Sequence, residues 1–291
     1  MSVPHADASD RAAIVQRLRA DRRSLLAIGT LLGVSVLVLV GPMLAAHQPY
    51  EQLDITRLVH ARPSAAHPLG TDAFSRDVLS RVLSGGRISL AVAMTAVCIE
   101  TVVGVAWGLT AGLAGGWVDT VMMRGVDAGL SVPRVLLLLA ILAAVPMVPV
   151  WMLVVILGLT GWFGIARLVR SEVRSIRGAD FVMAARCLGA SPLRLARSHL
   201  LPHVTGPVLV AATLAVGQVI VLEAGLSFLG IGVQPPQASW GNIIADGTEF
   251  IATAPWVSLA PGCCLVLVVI AVSALGDGLR DALAPPQLPR T

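Results

Sequence analysis

Long apolar runs separated by short polar stretches constrain this chain more than any other feature. Residues 25–46 form one run, and others cover about 88–113, 121–145, 150–168, 204–230 and 256–276. Each approaches or exceeds the ~20 residues that a helix needs to cross a bilayer. In hydrocarbon, every backbone N–H and C=O must be paired within the segment, so these runs specify helices. Composition agrees. Of the 291 residues, 56% are hydrophobic and 13% charged, against about 45–50% and about 25% in soluble domains. The expected fold is an all-α membrane protein with six transmembrane helices.

Arginine sets the expected orientation. All 21 basic residues are Arg. The N-terminal tail, residues 1–24, carries five Arg, and the segment 167–197 carries seven. Segments 146–149 and 231–255 carry none. By the positive-inside rule, the first two lie in the cytoplasm and the last two outside. Residues 47–87 read as external; their five Arg run against the trend, which longer loops obey less strictly. The first run exceeds the roughly 7–15 apolar residues of a cleavable signal, so it reads as an uncleaved helix. Six spans leave both termini cytoplasmic, with a core over 88–279 and a tail over 280–291. Basic charge at membrane borders points to topology, not to nucleic acid.

The polar interruption at about 172–202 carries helix signals of its own. Ala184 and Ala185 favour helix, and Gly189 stands where a left-handed C-cap would end it. Ser191 can cap a second helix with Pro192 in its first turn. Pro202 is expected to mark its end. Leu188, Leu193 and Leu195 offer apolar surface, and Arg186, Arg194 and Arg197 offer charge to acidic groups or lipid headgroups. A preformed helical loop at the cytoplasmic face suits being gripped by a partner.

Charges inside spans cost about 2.5–3.5 kcal/mol each on insertion scales, so they face protein or water. Arg124 and Asp127 are spaced to pair on one helix. Glu100 and Glu223 need partners that the sequence does not assign. Arg134, just after Pro133, either attracts a substrate carboxylate or pairs with a neighbouring subunit. Gly104, Gly108, Gly112 and Gly116 line one helix face and invite close approach, within the chain or at a subunit interface. The four Cys (98, 187, 263, 264) have no metal-ligand spacing and read as buried packing residues. His199 and His203 lack a third ligand, so no metal site is expected. Pro235, Pro236, Trp240 and Asp246 in the external segment are candidates for docking an extracytoplasmic protein; the alternative is a lid over the gate. No catalytic residues are expected: there is no P-loop, and Ser89, Ser227 and His199 are too scattered for a dyad.

Four motifs then carry a resemblance. They are His67-Pro-Leu-Gly-Thr-Asp72 with Arg76-Asp77 and Ser80-Arg81; Ala184-Ala185 through Gly189 to Leu201-Pro202; Glu223-Ala-Gly-Leu-Ser-Phe-Leu-Gly230 with Ser239-Trp-Gly241; and Gly276-Asp-Gly-Leu-Arg-Asp281. Together they resemble the C-type permeases of bacterial dipeptide/oligopeptide ABC importers (the DppC/OppC family), over roughly residues 65–285. The resemblance implies a MetI-like permease fold in the cytoplasmic membrane. It implies a second, B-type permease, ATPase domains that bind ATP and Mg, and an extracytoplasmic binding protein. This chain itself would bind no cofactor. The loop would couple ATPase motion to alternating access. Nickel or glutathione importers use similar permeases and remain the alternative substrate reading; a standalone channel is the alternative of another class. Met183 stands where the loop motif often has Glu, and Ser75 where the first motif usually has Gly.

Overall fold

A computed structural model describes residues 15–283. Its regular secondary structure is helical, with no strand among the described residues. The helices are α1 (Arg22–Leu44), α2 (Val78–Ala114), α3 (Gly116–Ser131), α4 (Arg134–Ala143), α5 (Val150–Ile176), α6 (Asp180–Cys187), α7 (Pro192–Leu195), α8 (Leu201–Phe228), α9 (Trp240–Thr248) and α10 (Trp256–Leu283). A π-helical turn, Ala196–Leu200, joins α7 to α8.

Among the described residues, five helices are long and apolar enough to span a membrane, six if one bent pair counts as a span. That pair is α3 and α4, which meet at 81°. The sequence suggests a continuous third span over 121–145; the structure breaks it at Val132-Pro133. Proline has no N–H for the helix and pushes its predecessor to extended angles, and Val132 sits at φ −96° and ψ 128°. Two spans also run longer than their apolar cores suggest. α2 has 37 residues, and Pro192–Phe228 forms another apolar stretch of 37. At ~1.5 Å rise per residue each reaches ~55 Å, well beyond the ~30 Å hydrocarbon core.

α1 begins at Asp21, whose carboxylate accepts from the Arg23 and Ser24 amides. These hydrogen bonds, led by the one from the Ser24 hydroxyl, hold the Asp21 carboxyl below its ordinary range. α1 packs on α10 and α2, and α8 packs on α10, α2, α9 and α5. The closest pairing is α2 with α5, and the glycine stripe makes it. A Cβ at Gly108 would lie 2.6 Å from the Ala166 carbonyl oxygen, and one at Gly112 would lie 2.7 Å from Val173. Gly104 meets Ile165 in the same way. The stripe is therefore an intrachain contact. Gly116 does not belong to it, because nothing lies within 4 Å of its Cβ position.

The stretch between α1 and Val78 is irregular and folds onto the ends of α2, α9 and α10. The last ten residues of the expected 47–87 segment belong to α2. His67 Nδ1 meets Asp77 Oδ1 at 3.1 Å, Trp256 donates to the Thr71 carbonyl, and Asp72 binds both Arg76 and Arg81. Ser75 has φ +59°. This backbone explains a glycine preference there, since only glycine adopts it freely. Ser75 anchors it with a hydroxyl hydrogen bond to the Asp54 carbonyl.

Candidate functional site

The segment Asp180–Leu200 forms the helix–Gly–helix unit. α6 closes in a Schellman motif: the Gly189 N–H donates to the Arg186 carbonyl at 2.9 Å and the Ala190 N–H to the Ala185 carbonyl at 3.0 Å. Gly189 has φ +79°, the left-handed geometry this motif requires. Ser191 then caps α7 by accepting from the Arg194 amide, with Pro192 in the first turn. The expectation fails at Pro202. The helix does not end there but runs on through the π turn into α8. The Leu201 N–H reaches back to the Ala196 carbonyl, and this wider turn accommodates a proline that has neither an N–H nor room for an α-helical carbonyl behind it.

The unit has two faces. Inward, Val182, Leu195 and Leu200 are buried with Ile165, Val169, Val173 and Val204, and half-buried Phe181, Ala185 and Ala190 pack against them. Leu195 is therefore spent on the chain's own core and offers nothing to a partner. Outward, Leu188 is 88% exposed and Leu193 67% exposed. Met183 is also exposed, as are Ala184, Arg186, Arg194, Arg197 and Pro202. His203 and His199 lie beside the Phe181 ring, at 5.2 and 6.5 Å. No group of three or more metal-ligating side chains occurs among the described residues.

The seven Arg of segment 167–197 divide into two sets. Arg167 pairs with Asp127 at 2.5 Å. Arg170 and Arg174 face Asp119, and Arg177 donates to the Gly112 carbonyl. Arg186, Arg194 and Arg197 lie exposed on the loop. The sequence alone does not separate these two sets or single out Asp119. The spacing of Arg170, Arg174 and Arg177, one face of a helix, was the available signal.

Other expectations need correction. Arg124 does not pair with Asp127, whose carboxylate turns to Arg167 on α5 instead; a tertiary contact replaces the local one. Arg134 finds its partner within the chain: it pairs with Glu100, which is 2% exposed, and donates to the Leu157 carbonyl at 2.7 Å. Glu223 is fully buried. Its Oε1 accepts from the Ser227 hydroxyl at 2.7 Å, with Ser89 and Ser239 alongside. Trp240 cannot dock a partner, because it is fully buried and donates to the Val82 carbonyl at 3.0 Å. Asp246 holds Arg81 at 2.9 Å and Arg76 at 3.3 Å. Pro235 and Pro236 are exposed. Cys98, Cys187 and Cys263 are exposed on the isolated chain, and only Cys264 is half-buried.

Residues 104–286 match the family described as the inner membrane component of binding-protein-dependent transport systems. The chain belongs to this family. Among its relatives, a putative peptide permease protein of Brucella suis biovar 1 is 42% identical over 258 residues, covering 86% of this chain and 85% of the relative. The dipeptide transport system permease protein DppC of Bacillus subtilis is 39% identical over 272 residues, covering 93% and 84%. The oligopeptide transport system permease protein OppC of Mycobacterium bovis is 36% identical over 279 residues, covering 96% and 95%. Membership makes the chain a multi-pass inner-membrane permease component with a MetI-like domain. The helix–Gly–helix unit lies within the matched residues, as do α3 to α10.

Proposed function

We propose that this chain is the C-type permease half of an ATP-driven importer of dipeptides or oligopeptides. Its relatives' names support the substrate class. The observation that carries the coupling role is the helix–Gly–helix unit, clamped to the core by one face and presenting Leu188 and Leu193 to solvent by the other. Burying those two side chains in a partner groove contributes about 1.5–3 kcal/mol each. Arg186, Arg194 and Arg197 add charge that acidic groups can meet. The partner is an ATPase subunit, which holds ATP and Mg; this chain holds neither. The loop faces the cytoplasm and both termini lie there. A B-type permease completes the pathway, and a binding protein delivers substrate to the outer face near Pro235 and Pro236.

The mechanism follows from the packing. The loop is joined to α5 at one end and, through the π turn, to α8 at the other. ATP-driven closure of the ATPase pair shifts the loop, and both helices move with it. Since α8 contacts α10, α2, α9 and α5, a tilt of α8 reaches the outer face, exchanging inward for outward access.

Deleting this chain from its source strain tests the substrate class. Uptake of labelled trialanine is expected to fall to background and to return with the wild-type gene, while nickel uptake stays unchanged. Loss of nickel uptake with trialanine uptake intact would reject the peptide reading.

A further inference from the structure

We infer that the Asp119–Arg170 pair ties the broken span α3–α4 to the coupling loop, which makes both side chains positioning residues for transport. The inference rests on the coupling reading above. Arg170, Arg174 and Arg177 share one face of the end of α5, and α6 starts at Asp180. They are thus the last cations before the loop. Arg170 holds Asp119 with a two-pronged fork, Nε to Oδ1 at 2.8 Å and Nη2 to Oδ2 at 2.7 Å. Such a fork fixes orientation as well as distance. Arg174 Nη1 adds a contact to Oδ2 at 3.7 Å.

Arg177 grips the same corner from below. Its Nη1 donates to the Gly112 carbonyl at 3.3 Å, one of the terminal carbonyls of α2 that lack an intrahelical partner. A Cβ at Gly115, the residue joining α2 to α3, would lie 2.8 Å from the same Nη1. Three Arg spread over about two turns at the end of α5 therefore hold one helix corner. Asp119 sits in the first turn of α3 with its side chain 8% exposed.

Topology alone does not require this arrangement. A positive-inside signal needs only Arg near the membrane border, and exposed Arg would serve. Here the cations converge on one sheltered carboxylate. Downstream of that carboxylate, α3 leads to the 81° bend and to Arg134, which Glu100 holds against α2. Displacement of the loop end of α5 therefore carries α3 with it and loads the bend.

The test uses the complete importer in proteoliposomes, with the four native cysteines replaced by alanine. Spin labels at Thr120→Cys on α3 and at Ser198→Cys, an exposed position of the loop unit outside the docking pair, report their separation without nucleotide and after trapping with ATP and vanadate. Wild type is expected to give the same separation in both states. Asp119→Asn is expected to give two different separations and about tenfold less trialanine uptake, within the range by which linking residues alter coupling. Asp119→Glu is expected to restore both, and all three should co-purify with the ATPase. A wild-type separation that changes with nucleotide overturns the inference. So does an Asp119→Asn variant that keeps the wild-type separation or the wild-type uptake, or one that loses the ATPase, which would assign the pair to folding. None of these outcomes touches the coupling reading, which fails separately if Gly189→Pro transports normally.

Discussion

Gly189→Pro is expected to leave the protein inserted in the membrane and to reduce peptide uptake to background. Proline cannot adopt φ +79°, because its ring fixes φ near about −65°. It also removes the N–H that closes on the Arg186 carbonyl. The turn between α6 and α7 must then open, and Leu188 and Leu193 leave their relative positions. If both lose their groove, about 3–6 kcal/mol of docking is forfeited, or roughly 10²- to 10⁴-fold in affinity for the ATPase. Membrane insertion rests on apolar spans that the substitution does not touch. A bulky residue at Ala185 should act similarly by lifting α6 off Val169, Val173 and their neighbours. Uptake and membrane content measured on the same vesicles check this. Wild-type uptake by Gly189→Pro would contradict it.

Glu100→Leu has the second large effect, and it falls on stability. Glu100 and Arg134 join α2 to α4 across the bent span, with the Leu157 carbonyl of α5 as a third member. Removing one partner of a buried pair leaves an uncompensated charge and costs about 3–5 kcal/mol. For a chain of this size that lowers Tm by roughly 5–8 °C. Replacing both, as Glu100→Leu with Arg134→Leu, should recover most of the loss, since a buried pair is often no better than apolar residues. A thermal scan in detergent decides; a single variant as stable as wild type would refute the pair. Because Arg134 is occupied, Arg134→Gln should not alter the preference between free-acid and C-terminally amidated peptides.

Several features were legible in the sequence because they depend on local chemistry. The Schellman turn at Gly189 and the Ser191 cap follow from residues within one turn of each other. The apolar runs mark where the long helices lie, though not the bend in one of them, and the glycine stripe states a close helix contact. What escaped depends on tertiary partners. Asp127 had a neighbour at helical spacing and chose Arg167 on another helix instead. Trp240 looks like an exposed loop aromatic until the fold seats it beside Gly86 and Val82. Asp119 carried no signal of its own until α5 brought three Arg to it. Pro202 misled because a proline near a helix start and one at a helix end read alike without the π turn before it. Ser75 runs the other way: the structure supplies the reason for a glycine preference that sequence comparison alone left bare.

The central claim is that the exposed face of the helix–Gly–helix unit is the docking surface for an ATPase. A photo-cross-linking residue at Leu188 in the intact importer, with adducts identified by mass spectrometry, tests it most directly. The account predicts an adduct with the partner chain that carries the nucleotide-binding P-loop. Adducts formed only with lipid or with the other permease would contradict it.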